Sequence, residues 1–187
     1  MNYAKETWDK LKMNLGGSVI DFEIESLAES ILFFLIELFE KIEYVPNLTI
    51  AINNDLKKKN GYFIVQDEMI YIFLNSKIIK KSVKEKVCYT NELDGLFHIL
   101  LHEIGHLVDM LDKFLCDKYV SLDDFFFKSW RPYVDEQEKI LSELYVEEMV
   151  PLCTDCEIFA NRFAFKNLPY FKSLYDFKGC THFGALY

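Results

Sequence analysis

The chain opens on helical spacing: residues 5–15 read as a short helix that the Gly16-Gly17 pair ends. From Ser18 to Ile42, Leu27, Ile31, Leu35, Leu38 and Ile42 recur at helical intervals while Glu29, Glu37, Glu40 and Lys41 take the opposite face, which predicts a long amphipathic helix. The period then shortens to that of strands. Leu48-Thr49-Ile50-Ala51-Ile52 is one strand, and Tyr62–Val65 and Met69–Leu74 flank a turn at Gln66-Asp67-Glu68, so a small, largely antiparallel sheet is predicted. Helical spacing returns after Thr90 or Asn91, either of which can cap a helix running to about Asp112. Segments 121–131 and 135–149 read as helices, and a last helix covers about 155–168 before Pro169. No repeat, low-complexity tract or Pro/Gly/Ser-rich linker interrupts the pattern. The expectation is one α+β domain over 1–187, mostly helical, with a helical insert at about 113–153.

Composition narrows the class. Apolar residues make up 51% of the chain, with 17 Phe and 11 Tyr, enough to build a core and too many for disorder. The net charge is −9, and Lys57-Lys58-Lys59 and Lys80-Lys81 are the only dense basic points, which argues against nucleic acid as a partner. The most apolar run, Ile31–Ile36, ends at Glu37 and is far too short for a membrane span. Lys5, Glu6, Asp9 and Lys10 break up the N-terminal region, which therefore lacks the apolar core of a secretory signal. Five cysteines, an odd number, suit a reducing compartment better than a disulfide framework. A cytoplasmic location is expected.

Chemistry concentrates in His102-Glu103-Ile104-Gly105-His106, inside the predicted helix that follows Asn91. On a helix, positions i and i+4 stand about 6 Å apart along the axis on nearly one face, so both imidazoles can reach one metal ion. Glu103 is then placed to take a proton from a metal-bound water, as in zinc peptidases whose helical histidines flank a general base. A catalytic zinc needs a third protein ligand and an open position. Glu157 is the first candidate, sharing a helix face with Asn161, which can accept a hydrogen bond from a ligand imidazole and fix its direction.

Competing readings exist for most of these residues. Thr154-x-x-Glu157 is also a capping box, in which the glutamate would reach back to the cap. Asp112 is a rival third ligand, six residues after His106, but it lacks the helix-breaking glycine that such an arrangement uses at position 109. Asp109 itself lies near the histidine face and suits support of a ligand. His98 reads as a core or supporting histidine. Cys153-x-x-Cys156 with Cys180 and His182 has the makings of a structural zinc, against the simpler reading of buried thiols. Phe125-Phe126-Phe127 and Trp130 read as core, or as the aromatic wall of a groove.

His102-Glu-Ile-Gly-His106 followed by Glu157-x-x-Ala160-Asn161-x-Phe163-Ala164, with Leu168-Pro169 closing the helix, resembles the ImmA/IrrE family of intracellular metallo-endopeptidases. The resemblance covers about residues 60–112 and 154–169. It implies a minimal zincin-like (gluzincin) domain in which His102, His106 and Glu157 bind Zn(2+) and Glu103 is the base. It further implies a protein substrate such as a helix-turn-helix repressor of a phage or mobile element. Two departures stand out: a long insert separates the motifs, and Met110 occupies the place of a frequent third histidine. A second resemblance, through His102-Glu-x-Gly-His106-x-x-Asp109 and Glu157-x-Phe159-Ala160-x-x-Phe163, is to the catalytic domain of anthrax lethal factor and its small secreted relatives. That group has a catalytic tyrosine seven residues before the third ligand, where this chain has Val150; Tyr145 is the nearest in sequence. It implies the same metal site with a host protein as substrate. The alternative of another class is a binding module whose zinc is structural, which a fourth protein ligand would reveal.

Overall fold

The computed structural model describes residues 2–57, 59–85, 91–117, 119–144 and 154–176. Its sheet is built on the strand alternation seen in the sequence. β2 (Asn47–Ile52) and β4 (Met69–Leu74) lie side by side, Leu48 against Ile70 and Ile50 against Ile72, with all four side chains fully buried on one face. β3 (Gly61–Gln66) returns antiparallel to β4 through a two-residue turn, Asp67-Glu68, both residues with positive φ. β1 (Leu11–Asn14) runs parallel to β2, so the order is β1-β2-β4-β3 with β3 at one edge.

The α+β architecture holds, but the sheet is mixed rather than largely antiparallel. Two of its pairings, β1 with β2 and β2 with β4, are parallel. Residues 11–14 also leave the expected first helix: α1 (Tyr3–Lys10) stops at Lys10, and Leu11 and Met13 alternate inward opposite Leu48 and Ile50. Pairing with an apolar neighbour strand outweighs the weak local helical spacing there. α2 (Ile24–Ile42) starts six residues later than Ser18 and buries Leu27, Ile31, Leu35 and Phe39. A helix absent from the expectation, α3 (Ser76–Lys84), begins at Asn75, whose side chain accepts a hydrogen bond from the Ile78 amide.

α4 (Glu92–Cys116) is the central element, nearly all of it buried from Gly95 to Leu107. Asn91 caps it, accepting from the Asp94 amide at 2.7 Å; Thr90, the other candidate cap, lies outside the described residues. The insert runs through α5 (Leu122–Phe125), a π-helical turn (Phe126–Trp130) and α6 (Arg131–Leu144) without the break expected near 131–135. In the π turn the Arg131 amide reaches back to Phe126 O, directly before Pro132, which has no N–H of its own to donate. Residues 145–149 of the expected second insert helix lie outside the described residues.

α7 (Asp155–Asp176) passes through Pro169 instead of ending at 168. Past the proline, Phe171 and Tyr175 are buried, with ring centroids 5.2 and 5.0 Å from Phe97 of α4. The Tyr175 hydroxyl also accepts from the Glu23 amide at the start of α2. Burial of two aromatic rings, worth about 1.5–3 kcal/mol each, offsets the cost of a proline inside a helix, about 3 kcal/mol. Among the described residues no helix is long and apolar enough to cross a membrane.

Candidate metal centre

α4 and α7 meet at two small residues. A Cβ added to Gly105 would lie 2.7 Å from Ala160 Cα and 3.1 Å from Ala160 O, so glycine is what lets the two backbones touch. Glu157 is one turn before Ala160, and the close crossing brings its carboxylate to the histidine face. Glu157 Oε2 is 3.3 Å from His102 Nε2, Glu157 Oε1 is 3.3 Å from His106 Nε2, and the two imidazole nitrogens are 3.1 Å apart. Metal–ligand bonds of about 2.0–2.1 Å in a tetrahedron give donor–donor edges of about 3.3 Å. The three side chains thus already have the mutual spacing of a shared first coordination sphere.

Electrostatics favours a cation at this point. The Nδ1–H of His102 donates to Asn161 Oδ1 at 3.2 Å, which turns Nε2 toward His106 and Glu157. Two ring nitrogens this close need a proton or a metal between them. Hydrogen bonds from His102 and His106 hold the Glu157 carboxyl well below the usual carboxylate range. Burial alone would lower the His102 pKa, but the bond to Glu157 and the charges of Glu103 and Glu157 outweigh it and raise it. His106 Nδ1 is buried with no hydrogen-bond partner among the described residues. Comparison with family models, curated proteins and solved structures finds no match. The residues therefore have to carry the functional reading by themselves.

The capping ambiguity at Glu157 resolves into a division of labour. Thr154 Oγ1 accepts from the Glu157 amide at 3.3 Å, so the threonine caps α7 while the carboxylate goes to the histidines. Glu103 is buried beside the donor set, and desolvation raises its pKa more than the neighbouring histidines lower it. Asp109 does not hold an imidazole. Its Oδ2 accepts instead from the Trp130 indole at 3.2 Å and from Lys113 Nζ at 2.8 Å, because the insert brings Trp130 within reach. Asp112 is not among the residues that could hold a metal, a group that consists, among the described residues, of His102, His106 and Glu157.

A cleft of 590 Å³ opens over these groups. One wall is the start of β3, from Lys59 to Phe63; another is the insert, with Trp130, Arg131 and Val134; His98, Cys156 and Asn161 complete it. Trp130 stacks on Phe126 at 5.5 Å and meets Phe63 edge-on at 5.6 Å and His106 at 6.3 Å, so it serves both core and cleft. Phe127, grouped with the core by its neighbours in sequence, is 54% exposed. His98 sits edge-on to Phe165 at 4.7 Å. Cys156 is a buried thiol bonded to Thr154 Oγ1; Cys153, Cys180 and His182 lie outside the described residues. Sequence reasoning missed Gly61, Ile99, Arg131 and Val134 as cleft residues. The signal for Gly61 was available, since a glycine within a strand pattern often marks a close approach.

Proposed function

We propose that the chain is a zinc-dependent endopeptidase, with Zn(2+) held by His102, His106 and Glu157 and Glu103 as general base. The observation that carries this reading is the convergence of those three donors at 3.1–3.3 Å beside a buried carboxylate, at the floor of a cleft. Zinc, when bound, lowers the pKa of a coordinated water toward neutrality and polarises a carbonyl. Glu103 would take the proton of such a water and pass it to the leaving amine nitrogen. Its desolvated site raises its pKa above the ordinary carboxylate value, which suits a group that must both take and give a proton. Asn161 holds the His102 ring in the tautomer that keeps Nε2 free for the metal.

The outer edge of β3, which pairs with no other strand among the described residues, supports a polypeptide substrate. The Asn75 amide donates to Asn60 O at 2.7 Å, and by the two-residue alternation of an antiparallel pair Tyr62 and Ile64 face β4 with their hydrogen bonds. The amides and carbonyls of Gly61, Phe63 and Val65 therefore point off the sheet, where an extended chain can pair with them. A helix-turn-helix repressor of a phage or mobile element is the first natural substrate to try. The reading is tested by mass spectrometry of a peptide library digested with the wild type and with Glu103→Gln. Turnover should fall about 10²–10⁴-fold in the variant at unchanged zinc content. Equal digestion by both would remove it.

A further inference from the structure

Gly61 lies in the inward-facing row of β3, the row that continues with the buried Phe63 and Val65. Its φ is not positive, so backbone conformation does not call for glycine there. Space does. A Cβ at this position would overlap the Glu103 carboxylate at Oε1, lie 2.8 Å from Glu103 Cγ and lie 2.8 Å from Ile99 Cγ2. The carboxylate thus fills the place in the strand that a side chain would otherwise take. The three atoms nearest to that Cβ belong to Glu103 and Ile99, and none to His102, His106 or Glu157.

We propose that Gly61 is a positioning residue for Glu103: by lacking a side chain it lets the edge strand close over the base and fix the carboxylate beside the metal site. The proposal rests on Glu103 acting as base. It couples base and substrate, because the residue whose inward face receives the Glu103 carboxylate also offers its amide and carbonyl at the strand edge. An alanine at 61 has two neighbours to push, a carboxylate at the end of a flexible side chain and a branched side chain fixed in the core. The carboxylate moves.

The test compares the wild type, Gly61→Ala, Ile99→Ala and the Gly61→Ala/Ile99→Ala double variant. For Gly61→Ala, zinc content and zinc affinity should match the wild type, KM for a cleaved peptide should stay within about twofold, and kcat should drop about tenfold to 10²-fold, the scale of a misplacement of about 1 Å. The double variant, which also relieves the core if the single alanine folds poorly, should remain slow. Recovery of kcat in the double variant would mean that the alanine acts through Ile99 and would overturn the proposal, as would an unchanged kcat in Gly61→Ala. If the wild type cleaves no peptide, the peptidase reading fails separately. Crystal structures of the wild type and Gly61→Ala then decide the point, and an unmoved Glu103 carboxylate in the variant would refute it.

Discussion

A methyl group added at Gly105 would come within 2.7 Å of Ala160 Cα, at the crossing that delivers Glu157 to the histidines. Gly105→Ala should therefore lower both stability, by about 1–3 kcal/mol as overpacked sites do, and zinc affinity. Calorimetric unfolding and competition with a chelating dye would measure the two. Asn161→Ala separates these effects, since it removes the bond to His102 Nδ1 without touching the crossing. Zinc affinity should fall about 10–100-fold with little change in the unfolding midpoint. His102 and His106 could be paired from the sequence because their i, i+4 spacing is set by helix geometry alone, whereas Glu157, on another helix, reaches them only through the crossing of α4 and α7. Asp109 could not be assigned that way. Whether it meets an imidazole or an indole depends on where the insert brings Trp130, a long-range contact that local spacing does not encode.

At the scale of elements, two helix boundaries show what the chain tolerates. α2 ends at Glu43, which is exposed and adopts φ 59 while its amide bonds to Phe39 O. Glycine has no penalty in that conformation, so Glu43→Gly should stabilise the fold by about 1 kcal/mol in denaturant unfolding. Pro169, read from sequence as a stop, lies inside α7 because Phe171 and Tyr175 find buried partners beyond it. Local rules for proline weigh one missing hydrogen bond and one clash; they do not see two aromatic rings docking on Phe97. The same limit explains the sheet. The hairpin of β3 and β4 was legible from its turn, whereas the parallel pairing of β2 with β1 and β4 joins segments distant in sequence.

Across the whole molecule, the hairpin turn clasps the insert to the sheet. Glu68 accepts from the Ser121 hydroxyl and from the amides of Leu122, at 2.9 Å, and Asp123, at 3.3 Å, while its own amide donates to Asp123 Oδ2 at 2.9 Å. The bond from Ser121, helped by the backbone donors, lowers the Glu68 pKa below its ordinary value. A carboxyl with a depressed folded-state pKa stabilises the fold above its unfolded pKa, and that contribution is lost as pH falls through the folded value. Acidification from pH 7 should therefore weaken the wild type more than Glu68→Ala, with the difference developing below about pH 4.5. Thermal unfolding of the two proteins across that range would measure it; parallel curves would show that the clasp does not depend on the charge.

The candidate metal centre depends on more than one scale, since the crossing at Gly105 and the cap at Thr154 bring three possible donors around one point. X-ray absorption at the zinc edge of the purified chain tests it most directly. One zinc per chain, with two imidazole nitrogens, carboxylate oxygen and a water oxygen at about 2.0–2.2 Å, is the predicted result. A sphere containing sulfur, four protein ligands with no water, or a chain that binds no zinc would contradict it.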